Sequence, residues 1–307
     1  MKQPVFEGVC TALVTPFRNG TVDMRKLEQL LDLQIASGVS AVVVCGTTGE
    51  SATLSTEEHL GLIAHAIQYT NRRIRVIAGT GSNDTAHAME MSRVAASMGA
   101  DGLLLVTPYY NKTTQVGLVD HYAMIADTVP CPVIVYNVPS RTGVNMTVDT
   151  YKALSQHPNI NGVKEASGDL PKVQRTLEQC GEELHIWSGN DDQIVPMTAV
   201  GGKGVISVLS NLCPKETVRL LELCKLGDYR EAGRLQCSLM PLIDGLFREV
   251  NPIPVKAALN LLGYGVGLPR RPLLDMTEEG KAVLRGLLER YKDRIVPVPA
   301  DSSDFPI

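Results

Sequence analysis

The 307-residue chain contains no C-x-x-C pair, no polybasic block and no apolar run of membrane-spanning length. Each absence narrows what it can do. Its seven cysteines, Cys10, Cys45, Cys131, Cys180, Cys213, Cys224 and Cys237, are dispersed. Zinc sites of the finger type and dithiol redox chemistry need close thiol pairs, so neither is expected. Reduced thiols in the core of a cytoplasmic protein are expected instead. Lys and Arg number 29 against 33 Asp and Glu, giving a formal charge of −4. No general attraction to nucleic acid or an anionic membrane follows. The longest apolar stretches are strand-length, well short of the ~20 residues of a membrane helix. The opening residues, Met1-Lys-Gln-Pro-Val-Phe-Glu-Gly8, lack the apolar core of a signal peptide.

What is present is an alternation. Eight short apolar runs read as strands: Cys10–Val14, Ala41–Cys45, Ile74–Ala78, Gly102–Val106, Pro132–Tyr136, Ile160–Lys164, Leu184–Trp187 and Gly204–Val208. They lack a polar face, as strands of a parallel sheet covered on both sides do. Helical patterns fill the gaps. Met24–Ala36 carries Leu27, Leu30, Leu31 and Ile35 at helical spacing, and Ser55-Thr-Glu-Glu58 reads as a capping box opening a helix to Tyr69. Asn83-Asp84 opens another, which runs to Met98 and is closed by Gly99. Strands separated by single helices imply right-handed βαβ units, and eight of them match a (β/α)8 TIM barrel. An open doubly wound sheet is the alternative, but no G-x-G-x-x-G follows the first strand. From Lys215 to Lys292 helical periodicity dominates, interrupted at Asn251–Pro254 and Gly263–Gly267. The expected organisation is a barrel over 1–226, a C-terminal α-helical extension over 227–295 and a flexible, proline-rich tail over 296–307.

In such a barrel, chemistry belongs at the C-terminal ends of the strands. Unusual polar residues follow the runs there. Gly46-Thr-Thr-Gly-Glu50 offers glycines for close backbone approach and hydroxyl and amide donors for a carboxylate. Thr107-Pro-Tyr-Tyr-Asn111 presents paired tyrosines, which alone suit interface packing better than proton relay. Tyr136-Asn-Val-Pro-Ser-Arg-Thr-Gly143 supplies a phenol and the planar fork of Arg141, which suits a carboxylate or a surface ion pair. Asp191 and Asp192 read as caps of the next helix; with no histidine or third acid beside them, no metal is expected. Gly201-Gly-Lys-Gly204 precedes its strand and lacks P-loop spacing. Lys164 ends the apolar run Ile160-Asn-Gly-Val-Lys164. Alone, that segment favours a lysine whose head reaches water past the strand end. A buried one would have a lowered pKa and could form a Schiff base with a carbonyl. Convergence of Lys164, Tyr136, Arg141 and the Gly-Thr-Thr turn on one mouth favours the second reading: carbonyl chemistry on a keto acid.

These motifs, with Gly8-Val-Cys-Thr-Ala-Leu-Val-Thr-Pro-Phe17, Lys164-Glu-Ala-Ser-Gly168 and Asn251-Pro-Ile-Pro-Val-Lys256, resemble the dihydrodipicolinate synthase family of the N-acetylneuraminate lyase superfamily. The resemblance implies a lyase that condenses pyruvate with L-aspartate 4-semialdehyde in diaminopimelate and lysine biosynthesis, usually as a homotetramer. It implies a pyruvate Schiff base on Lys164. Tyr136, Thr47 and Tyr110 would form a proton relay, with Tyr110 reaching a neighbouring subunit's site. Thr48 would hold the pyruvate carboxylate and Arg141 that of the semialdehyde; the backbone of Gly189 and Ile206 would line the pocket. No metal or organic cofactor is implied. Ser51, Ala52, His59, Asn83, His87 and Tyr109 match a lysine-binding regulatory cleft between subunits. Thr56 stands there in place of a frequent histidine and His87 in place of a glutamate, so weak or absent lysine inhibition is expected. Two other readings stay open: a related pyruvate lyase or aldolase acting on a sugar acid, and a non-catalytic barrel used for binding or assembly.

Overall fold

Eight parallel strands close into a barrel in this computed structural model, which describes residues 1–297. They are β1 (Gly8–Ala12), β4 (Ala41–Val44), β5 (Arg75–Gly79), β6 (Gly102–Val106), β7 (Val133–Asn137), β8 (Ile160–Glu165), β9 (His185–Ser188) and β10 (Gly204–Ser207). A two-residue-stranded hairpin, β2 (Phe17–Arg18) with β3 (Thr21–Val22), interrupts the alternation after β1. The barrel closes where β1 pairs with both β4 and β10. Helices α1 (Met24–Ala36), α2 (Thr56–Thr70), α3 (Thr85–Ser97), α4 (Gln115–Ala126), α5 (Pro139–Thr142), α6 (Val148–Ser155), α7 (Leu170–Cys180), α8 (Ile194–Ala199) and α9 (Pro214–Lys225) occupy the crossovers and follow β10. Then come α10 (Tyr229–Leu246), α11 (Ile253–Leu261) and α12 (Glu278–Arg290).

The strands bury both faces, against two different cores. Val42, Val44, Leu103, Leu105, Val133, Val135 and Val163 face the helices. Cys10, Ala12, Ala41, Val43, Ile77, Leu104, Ile134, Tyr136, Trp187 and Ile206 form a separate interior cluster. This is the period-2 alternation of a strand with apolar partners on each side. Phe6 stacks on Trp187 with ring centroids 4.9 Å apart, and the Trp187 indole donates to Phe6 O at 3.2 Å, adding to this interior packing.

All eight expected strands form, though the first lies two residues earlier than expected, at Gly8–Ala12. Leu13 still donates to Val43 O but is already leaving the sheet. The capping box is present: Ser55 Oγ accepts from Glu58 N, and Glu58 Oε2 from Ser55 N. Asp84 alone caps α3, because Asn83 Nδ2 donates instead to Tyr109 O. The first expected interruption in the C-terminal helices lies earlier than expected, between Leu246 and Ile253; Ile253 and Pro254 already form the first turn of α11, where a proline's missing N–H costs nothing. The second is wider, and no helix covers Gly263 to Thr277. The expected tail begins at Val296, whose N–H donates to Leu212 O, and beyond Pro297 lies outside the described residues. All seven cysteines are free; five are buried, but Cys237 is exposed. Among the described residues no helix is long and apolar enough to cross a membrane.

Candidate active site

Strand register brings the lysine and the tyrosine together. Tyr136 on β7 pairs with Lys164 on β8, and Lys164 pairs with Trp187 on β9. Tyr136 and Trp187 point into the barrel, so Lys164 does too. Its side chain is 6% exposed, and its Nζ lies 4.2 Å from the centroid of the Tyr136 ring. The reading of a strand-end lysine with its head in water is therefore wrong here. Burial lowers the Lys164 pKa to about 8, and Arg141 pushes it the same way; Cys10 and Asp191 oppose both. Burial pushes the Tyr136 phenol up to about 12, against the pull of Arg141 and a hydrogen bond with Thr47. At neutral pH the pair therefore offers an amine poised to lose its proton and a phenol that keeps one.

Gly189 backs the lysine stem. Its amide donates to Glu165 O at 2.8 Å, and a Cβ there would sit 3.2 Å from Lys164 Cε and 2.7 Å from Ala166 Cβ. Ile206 on β10 is fully buried in the interior cluster beside Tyr136 and Trp187. Thr47 and Thr48 follow β4; Thr48 is buried, and its hydroxyl accepts from Asn251 Nδ2 at 2.9 Å. Arg141, on the short α5, is exposed and donates to Asn251 O at 3.3 Å. Asn251 thus links the two groups expected to bind carboxylates. Its Oδ1 is buried without a partner.

A polar network on the other face of β7 and β8 holds the pair in register. Asn137 and Glu165, the next residues along, are paired across the strands. Glu165 is 3% exposed and accepts from Asn137 Nδ2 at 3.0 Å, Tyr151 Oη at 2.6 Å and Ser167 N at 2.7 Å. Lys172 on α7 faces it at 2.9 Å. A buried carboxylate is tolerable because all these donors replace water. Sequence reasoning missed this network; the signal was an acid directly after Lys164 in a run otherwise buried.

The dihydrodipicolinate synthetase family profile matches residues 5–291. The chain belongs to this family. A 4-hydroxy-tetrahydrodipicolinate synthase from Caldicellulosiruptor saccharolyticus is 50% identical over 289 residues, covering 94% of this chain and 98% of that one. The crystal structure of dihydrodipicolinate synthase from Aquifex aeolicus superposes with a TM-score of 0.92 at 42% identity, over 94% of this chain and 99% of that one. The structure of DHDPS from Cyanidioschyzon merolae with lysine bound gives 0.91 at 42%, over 94% and 98%.

Other expected residues of this family member fall elsewhere. Tyr110 does not reach the Lys164 pocket of its own chain: it is 92% exposed, at a left-handed φ of 69°. Of the cleft residues, Asn83 is tied to Tyr109 O at 3.2 Å, and His59 Nε2 donates to Gly79 O, 2.7 Å away. Burial lowers the His59 pKa, and His87 lies close enough to add like-charge repulsion. Ser51 and Ala52 form the 3-10 turn just before α2. The capping expectation for Asp191 and Asp192 fails. No side chain caps the 3-10 turn Asp191–Gln193 or α8, and Asp191 Oδ2 instead accepts from Val208 N and Leu209 N at 3.0 and 2.8 Å. These amides follow β10, and no local pattern could reveal that a strand 16 residues away would aim them there.

Proposed function

We propose that this chain condenses pyruvate with L-aspartate 4-semialdehyde to give 4-hydroxy-tetrahydrodipicolinate, the first committed step of diaminopimelate and lysine biosynthesis, in the cytoplasm. The observation that carries this reading is a buried lysine whose amine lies 4.2 Å from the ring of an equally buried tyrosine. The neutral Lys164 amine attacks the pyruvate ketone, and the ketone oxygen leaves as water. The resulting iminium draws electrons from C3, so a methyl proton is lost and an enamine forms. No metal or organic cofactor is required, because the protonated imine is the electron sink. C3 then attacks the semialdehyde, whose oxygen takes a proton. Transfer of C2 from Lys164 to the substrate's own amine closes the ring and frees the enzyme. Tyr136 serves these proton steps through Thr47 and, across a subunit boundary, Tyr110. Each positioned transfer contributes about 10²–10⁴-fold. Thr48 with nearby backbone receives the pyruvate carboxylate, the backbone of Gly189 and Ile206 lines the pocket, and Arg141 receives the semialdehyde carboxylate, bidentately. The expected assembly is a homotetramer.

Borohydride reduction with pyruvate tests this directly. The expected product is a mass adduct on Lys164, and its absence would defeat both this reading and that of a sugar-acid aldolase. A coupled assay then separates those two, since turnover with pyruvate and aspartate semialdehyde belongs to the first alone.

A further inference from the structure

Lys256 and Glu50 form an ion pair that the chemistry above does not use. Both side chains are at most 1% exposed, and Lys256 Nζ lies 2.7 Å from Glu50 Oε1. The ammonium also donates to Thr15 O at 3.0 Å and Leu268 O at 3.2 Å, which occupies its three N–H groups. The Phe17 ring centroid is 4.3 Å from Nζ and also 4.3 Å from the Arg270 guanidinium carbon. Glu50 Oε2 accepts from Arg270 N at 2.7 Å. A pair buried this completely is poor evidence for stability, because desolvation offsets its attraction; fixing one arrangement is the better-supported use.

The arrangement fixed is the Gly46–Gly49 turn. Glu50 ends that turn at φ 57°, and its amide donates to Thr47 O at 3.1 Å. Thr15, whose carbonyl Lys256 holds, donates its hydroxyl to Gly49 O at 2.6 Å. Lys256 thus grips the C-terminal end of the turn from α11, directly at Glu50 and through Thr15 at Gly49. Asn251, just before α11, grips Thr48. Resting on the reading above for Thr47, we propose that Glu50 and Lys256 are positioning residues through which α11 aligns the Thr47 hydroxyl with the Tyr136 phenol.

Replacing Lys256 alone would leave Glu50 charged and unpaired, and unfolding is the expected result. The informative variant is therefore the double one, Glu50→Gln with Lys256→Met, which buries no charge. Two readouts separate positioning from mere support. Borohydride trapping of pyruvate reports the lysine, and exchange of the pyruvate methyl protons in D2O reports the relay. Expected is trapping within about threefold of the parent with methyl exchange slowed about 10²-fold, the scale of a 1 Å misplacement. Methyl exchange close to the parent's, or loss of both readouts together, would overturn the proposal. Amide hydrogen exchange on the unaltered protein supplies a test that needs neither folding of a variant nor activity. The amides of Glu50 and Ser51 should exchange in the same slow class as those of α11, and exchange orders of magnitude faster would refute the coupling. A wrong reading of the reaction would show in the parent's own trapping, whereas a wrong positioning role shows in the variant and in the amide rates.

Discussion

The chemistry proposed for Lys164 rests on where its amine ends up, 4.2 Å from the Tyr136 ring and nearly out of water. Attack requires the neutral amine, and the neutral fraction falls tenfold per unit below a pKa of about 8. Pyruvate trapping at fixed time should therefore rise from pH 6 and level off above pH 8; a flat profile over that range would contradict the assignment. Tyr136→Phe removes the phenol but leaves the amine. Trapping should persist while turnover falls about 10²–10⁴-fold. Arg141→Ala should likewise spare trapping and abolish semialdehyde turnover, measured in the coupled assay. Gly189→Ala is a sharper probe of geometry. Its new methyl would meet Ala166 Cβ at 2.7 Å and crowd the lysine stem, so trapping itself should slow while the fold persists.

Among the elements, α2 carries the clearest local signals. Its capping box was legible in Ser55-Thr-Glu-Glu58 because all the partners lie within one turn. Ser55→Ala should cost about 1 kcal/mol in urea unfolding. Glu58 does a second job invisible in that motif: it pairs with Arg270, with Oε2 2.7 Å from Nη1, and this holds its pKa at about 2. A carboxylate depressed in the folded state stabilises above its ordinary pKa of 4.5 and loses that contribution as pH falls toward 2. Glu58→Gln should flatten the acid limb of the stability profile between those values, as followed by thermal melts. Local patterns misled where partners were remote. Asp191 looked like a cap because acids before helices usually are, yet its Oδ2 accepts from two amides beyond β10.

For the molecule as a whole, the roles proposed for Tyr110 and the cleft residues require a second copy. With Tyr110 92% exposed, the proposed relay is incomplete in one chain. Mixing Lys164→Ala protomers with Tyr110→Phe protomers should restore turnover that neither has alone, because one site in each mixed pair regains both groups. Without rescue, a relay shared between subunits is excluded. The cleft makes a matching prediction. With His87 where a glutamate would face an ammonium, lysine should inhibit weakly or not at all, and inhibition below millimolar concentrations in the coupled assay would contradict that.

The sequence alone determined the barrel, because strand length, helix spacing and caps are decided within a few residues and recur eight times along the chain. It also marked Lys164, Tyr136, Arg141 and the threonine turn, since a barrel sends its strand ends to one mouth. Tertiary structure alone decided that Lys164 is buried, which of its neighbours perturb it, and that Glu165, Asp191 and Asn251 stand behind the groups proposed to react. It also decided that Lys256 meets Glu50 from 206 residues away. The reason is physical. A periodic pattern records which face of an element is apolar, but the pKa and orientation of a buried polar group depend on partners that only strand register and the return of the C-terminal helices supply.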